Sequence, residues 1–132
     1  MSKGDSGLFE ETNGSTAEVW YSISATQPYY EGTVIPRSFV MKTSNGTFWV
    51  HGNATEHMAE YVIKKLNQGS SLDSIRLDSQ IILSDMKESL SAATKNGIIY
   101  DELLVHGSWE FVIKKSKSTD QYDAVIHAMY KK

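Results

Sequence analysis

The hydrophobic period changes twice along this chain, from two to about 3.6 and back to two, and that order limits the fold more than any single motif. Residues Thr33–Thr43 (TVIPRSFVMKT) and Thr47–Val50 (TFWV) are rich in β-branched and aromatic side chains and predict two strands. Asn45-Gly46 between them is a strong hairpin signal. Pro36 cannot donate to a sheet ladder, so it confines the first strand to an edge or a bulge. Upstream, Glu18–Ser24 (EVWYSIS) predicts a further short strand, and Gln27–Gly32, which contains Pro28, a loop.

Helical spacing follows. Asn53 with Glu56 three residues later predicts a capped start, and Met58, Tyr61, Val62 and Leu66 share one face up to a stop at Gln68-Gly69. A second helix is expected from a cap at Asp78 or Ser79. Its stripe is Leu83, Met86, Leu90 and Ala93, flanked by Ile82, and Asn96-Gly97 ends it. These stripes read as core.

Alternation then returns. In Trp109–Lys115 (WEFVIKK), Trp109, Phe111 and Ile113 alternate with Glu110, Val112 and Lys114. In Ala124–Tyr130 (AVIHAMY), Ala124, Ile126, Ala128 and Tyr130 alternate with Val125, His127 and Met129. An antiparallel pair is the simple expectation. The fold class is therefore α+β, with two main helices packed on one face of an antiparallel β-sheet. Residues 1–16 are rich in Gly, Ser, Thr and Glu and read as a flexible lead-in. Residues 17–132 read as one domain, with monomer the default state.

Composition narrows the chemistry. The 132 residues include no cysteine, which excludes disulfides, thiolate zinc sites and a cysteine nucleophile. No apolar run approaches the roughly 20 residues that span a bilayer. The opening residues carry no apolar signal core, so any export address is expected on a parent chain. The net charge of −3 argues mildly against nucleic acid, but it is uneven. Residues 1–31 carry Lys3 against Asp5, Glu10, Glu11, Glu18 and Glu31, while Lys114, Lys115, Lys117, Lys131 and Lys132 make the C-terminal end basic. A local patch of that kind can bind phosphate on an acidic protein.

No P-loop, GxGxxG or GxSxG motif is present, and HGNATEH is not the HExxH zinc motif. The histidines remain. His51 lies between the hairpin and the first helix. His57 falls in that helix's first turns, at the dipole end that favours anions. If Trp109, Phe111, Ile113, Ala124, Ile126 and Ala128 face the helices, Glu110 and His127 share the open face with Lys114 beside them. An acid, an imidazole and a lysine on one sheet face match what metal-free RNA cleavage needs. A base takes the 2′-hydroxyl proton, an acid protonates the 5′ oxygen, and a cation steadies the phosphorane. A strand histidine can equally be structural, and Glu110 and Lys114 can be a solvated face. His106 reads as a loop residue without a task.

The stretch VIPRSFVMKTSNGTFWVHGNATEHMAEYV (34–62) resembles the pattern IPxSF…FWVHxNATxHMxEY of C-terminal toxin domains in bacterial polymorphic toxins, of the LXG and contact-dependent inhibition types. SQIILSDMKESLSAATKNGIIYDE (79–102) is similar to that family's long helix and glycine stop, and HGSWEFVIKKS with YDAVIHAMYK to its closing strands. The resemblance covers roughly residues 33–131. The chain departs from the pattern at Gly52, where proline is expected, and at His106, where an apolar residue is more usual.

The resemblance implies a nuclease toxin that cleaves RNA, with tRNA a candidate target, on a barnase/EndoU/colicin/RelE-like architecture in which helices pack on a curved antiparallel β-sheet; from the residues themselves, no metal or other cofactor is expected. It implies delivery by a secretion system as part of a larger protein, action in the target-cell cytoplasm, and a cognate immunity protein. The motif falls on His51, Asn53, Thr55, His57, Trp109, Glu110, His127 and Tyr130. The roles expected are His57 or His51 as base, His127 as acid and Glu110 as the group that orients a histidine. Arg37, Thr55 and Lys114 are expected to hold substrate, and Tyr130 to contact ribose or stack on a base. Surface Tyr29, Tyr30 and Tyr122 are candidate interface aromatics. A metal-dependent DNase toxin and a non-catalytic, immunity-like binding module are the alternatives.

Overall fold

The computed structural model describes residues 16–131. Of the lead-in expected over 1–16, residues 1–15 lie outside the described residues. A short helix, α1 (Val19–Ser22), leads directly into β1 (Ile23–Ala25). The expectation of one strand over 18–24 is thus corrected. Val19 is buried, and Trp20 Nε1 donates to Gln80 Oε1 at 2.8 Å, so packing overrides the β preference of this segment.

Strand β2 (Phe39–Thr43) is shorter than expected. Pro36 stays outside it and pairs only through an isolated bridge with Tyr29, because proline has no N–H to give a ladder. β3 (Gly46–Val50) returns antiparallel, with Thr43 opposite Gly46, so the turn is Ser44-Asn45, one residue earlier than the expected pair. Asn45 Nδ2 donates to Ser91 O and Ser44 N to Ser91 Oγ, which moors the turn on a helix rather than leaving it to local preference. Gly46, at φ 147°, takes the backbone region that other residues avoid.

Helix α2 (Gly52–Asn67) follows, then α3 (Leu72–Ala93). Neither starts where local patterns pointed. His51, not Asn53, caps α2: its Nδ1 accepts from Asn53 N at 3.0 Å. Ser71 caps α3 by accepting from Ser74 N, and Ser79 is buried within the helix, its hydroxyl donating to Ile75 O. The added N-terminal turns of α3 bring Ile75 into the core, which compensates the poor helix-forming residues between them.

The C-terminal part forms β4 (Leu104–His106), β5 (Trp109–Lys114) and β6 (Asp123–Tyr130). His106 is therefore the last residue of a short strand, not a loop residue. The six strands are ordered β1-β2-β3-β6-β5-β4. β6 pairs antiparallel with β5 but parallel with β3, through Phe48↔Asp123, Trp49↔Ala124 and Val50↔Val125. The sheet is mixed, which corrects the wholly antiparallel expectation. A parallel neighbour needs a long crossover, and α2, α3, β4 and β5 all lie between β3 and β6 in sequence.

Side chains from α2, α3, β2, β3, β5 and β6 meet in one core, with Trp109, Phe111 and Ile113 fully buried. Trp109 keeps its polar edge satisfied by donating Nε1 to Asp85 Oδ2 at 2.8 Å. On β6 the buried residues are Val125 and Ala128, not the expected Ala124, Ile126 and Ala128. A bulge explains it: Val112 pairs with His127 and Ile113 with Val125, so Ile126 is the extra residue and the alternation slips by one. No helix among the described residues is long and apolar enough to cross a membrane.

Candidate active site

Register builds the first half of the site. Glu110 on β5 sits opposite Met129 on β6. Its diagonal neighbours, two residues to either side of Met129, are His127 and Lys131, within reach of a long side chain. Lys131 Nζ donates to Glu110 Oε2 at 2.8 Å. His127 Nε2 lies 3.6 Å from Glu110 Oε1, an ion-pair separation longer than a hydrogen bond. The Lys131 backbone is held in turn, its N–H donating to Ser108 O at 2.6 Å. The histidine and glutamate keep 30% and 17% of their side-chain surface, so both remain open to a ligand.

The second half comes from α2. The β3–β6 ladder ends at Val50↔Val125, and His51 N donates to Val125 O at 2.9 Å. Beyond that point the edge of β6 faces the first turns of α2 instead of a strand. His57 and His127 meet there edge to face, ring centroids 5.9 Å apart. Tyr61 and Tyr130, one step further along both elements, repeat the contact at 5.4 Å. His57 Nδ1 lies 3.4 Å from Glu60 Oε1, so each imidazole has a carboxylate beside one nitrogen. Among the described residues, His57 Nε2 and His127 Nδ1 have no hydrogen-bond partner.

The remaining sequence candidates lie apart from this pair. His51 is engaged as the α2 cap, and its ring packs edge-on against Trp49 at 5.1 Å. Thr55 is fully buried, its hydroxyl shared among Arg37 O, Gly52 O and Tyr30 Oη. That leaves it no surface for a substrate. Arg37 stacks its guanidinium over the Tyr30 ring at 4.8 Å. Lys114 is ion-paired with Asp101 at 3.1 Å and is not beside His127. The cation at Glu110 is Lys131. Tyr130 packs between Trp109 and Tyr61.

Two side chains were not singled out for the site by sequence reasoning, Lys131 and Glu60. Lys131 read only as part of a basic end. The register of the β5–β6 pair, with Glu110 opposite Met129, is the signal that finds it. Glu60 follows from i,i+3 spacing to His57.

The Lys131 ammonium, which donates to Glu110, holds the glutamate carboxyl below its ordinary range against the opposing effect of burial, and the nearby His127 adds a smaller effect in the same direction as Lys131. The site therefore presents a fixed carboxylate, two imidazoles and an ammonium on a solvent-reachable surface. Such a set can take a proton from one atom of a ligand and give one to another. No group of three or more His, Asp or Glu side chains among the described residues is arranged to hold a metal ion. No protein-family model matches the chain, and no curated protein sequence matches it.

Proposed function

We propose that this domain is a metal-independent endoribonuclease of the bacterial polymorphic-toxin kind, with His57, His127, Glu110 and Lys131 as its working residues. The observation that carries the proposal is the His57–His127 pair, with ring centroids 5.9 Å apart and Glu110 3.6 Å from the His127 ring. Two imidazoles that close can serve both ends of one phosphodiester.

His57 takes the proton of a ribose 2′-hydroxyl. The 2′ oxygen attacks the adjacent phosphorus and the bond from phosphorus to the 5′ oxygen breaks. His127 gives its proton to that departing oxygen. The products are a 2′,3′-cyclic phosphate and a 5′-hydroxyl. Glu110 orients His127, and Lys131 adds positive charge where the phosphorane forms. DNA lacks the 2′ nucleophile and is spared. On this proposal α2 and α3 cover one face of a curved sheet, as in barnase, EndoU, colicin and RelE-like nucleases. RNA, with tRNA a candidate, lies on the other. The domain travels in a larger secreted chain, acts in the target-cell cytoplasm, and is neutralised in the producing cell by an immunity protein docked over the histidine pair.

The test is to incubate the folded domain with total RNA, purified tRNA and plasmid DNA, in EDTA or in magnesium. RNA cleavage that survives EDTA and leaves cyclic phosphate ends supports the proposal. Cleavage of DNA only with magnesium replaces it with a metal-dependent nuclease. No cleavage of either, from a folded protein that cells tolerate, makes the domain a binding module.

A further inference from the structure

A groove of about 660 Å³ opens at the far end of the β5–β6 hairpin from Glu110, lined by Trp49, Lys114, Lys115, Lys117, Tyr122 and Ala124 among others. Its floor is a row of three strands: Trp49 on β3 pairs with Ala124 on β6, which pairs with Lys114 on β5. Register places these three on one face of the sheet, and the small Ala124 leaves room between the indole and the lysine. Trp49 Nε1 donates to Thr26 Oγ1 at 3.3 Å and His51 abuts the ring, so the indole is fixed in orientation. Tyr122, also in the lining, is exposed.

The loop that supplies the lysines is pinned. Asp123 Oδ1 accepts from Ser116 N at 2.8 Å and Oδ2 from Tyr100 Oη at 2.7 Å. Lys115 Nζ lies 5.7 Å from the Tyr100 ring centroid. Lys114 is paired with Asp101, Asp123 is occupied by its two donors, and Asp120 by Ser118. Lys117 has no partner among the described residues. Ala124 precedes His127 by three residues on β6, a span of about 10 Å at 3.3 Å per residue. One oligonucleotide can occupy both places.

We propose that this groove is a subsite for one unpaired nucleotide of an RNA strand, its base stacked on Trp49 and Tyr122 and its phosphate held by Lys114, Lys115 and Lys117. Aromatic faces beside lysines bind single strands through stacking and phosphate contact, with little dependence on base identity. A volume within the usual range for ligand pockets fits one base and sugar. The subsite rests on the ribonuclease proposal for its RNA occupant, but its binding can be measured without cleavage.

The probe is a fluorescent single-stranded hexaribonucleotide methylated at every 2′ oxygen, which binds but cannot be cut by the 2′-hydroxyl route. Anisotropy gives its Kd for the wild-type domain and for Tyr122→Ala, Lys117→Ala and Trp49→Phe. The first two variants alter exposed residues and leave the fold intact, and the third keeps a stacking ring at the floor of the groove. Tyr122→Ala weakens binding about tenfold. Lys117→Ala also weakens it and flattens its dependence on salt. Trp49→Phe keeps most of the affinity. Unchanged Kd in both Tyr122→Ala and Lys117→Ala overturns the subsite, as does absence of binding at low salt. Tight binding lost in those variants, with no cleavage of unmodified RNA, upholds the subsite and removes the catalytic proposal instead.

Discussion

His127 and Lys131 reach Glu110 from opposite diagonals of one antiparallel ladder, at 3.6 Å and 2.8 Å, so the carboxylate stands between an imidazole and an ammonium. The three groups depend on one register, and a slip of a single residue would turn Glu110 to the other face of the sheet. His57 completes the group from a different element, which makes the arrangement a product of packing rather than of local sequence.

If His57 and His127 act as a base and acid pair, each alanine substitution lowers kcat for RNA cleavage by about 10²–10⁴-fold. The double variant is then little worse than either single one, because the two act as a unit in one chemical step, one at each end of the same phosphodiester. Single-turnover cleavage of a defined RNA measures it. Losses that multiply would mean two independent roles.

Glu110→Gln keeps the shape and removes the charge. A positioning role predicts a kcat lowered by roughly tenfold or more with KM nearly unchanged, since the carboxylate acts on His127 and not on bound substrate. A raised KM at constant kcat would assign Glu110 to substrate binding.

The glutamate also sets a pH dependence. Its carboxyl is held below the ordinary range, first by Lys131. A group with a lowered folded value contributes stability above its unfolded value, about 4.3, and loses it as pH falls through the folded value. Lys131→Met brings the folded value back toward the unfolded one. Between pH 5 and pH 3 the unfolding free energy of the variant therefore falls less steeply than that of the wild type. Urea melts at several pH values check this, and parallel curves would refute it.

His51 caps α2 through Nδ1, and serine at that position can accept the same N–H. His51→Ser therefore folds with near wild-type stability and cleaves RNA normally. His51→Ala loses about 1 kcal/mol. Loss of cleavage in the serine variant with stability intact would make His51 the base in place of His57.

Tyr100→Phe removes one donor to Asp123, a partly buried carboxylate that keeps Ser116, at a cost of about 1 kcal/mol. The same variant loosens the lysine loop and weakens the methylated hexanucleotide. A thermal melt and the anisotropy titration report the two effects separately.

The sequence by itself determined the kinds of element and most of their inward faces. Phe48 and Val50, Met58 and Val62, Leu83, Met86 and Leu90, and Trp109, Phe111 and Ile113 are all periodic, and all are buried. Periodicity reports which side of an element is apolar, and burial of apolar surface is the largest force acting on it. Helix starts were less legible, because a cap depends on which group reaches the first free N–H, and His51 reached Asn53 N before Asn53 could act itself. Tertiary structure alone decided the parallel join of β3 to β6, the bulge at Ile126, and the meeting of His57 with His127. Each depends on contacts between residues far apart in the chain, whose alignment follows from how a shared core closes and not from any neighbour along the sequence. For the same reason Lys114 went to Asp101 and Lys131 to Glu110: charge tells what a side chain can pair with, and only the register tells what lies within its reach.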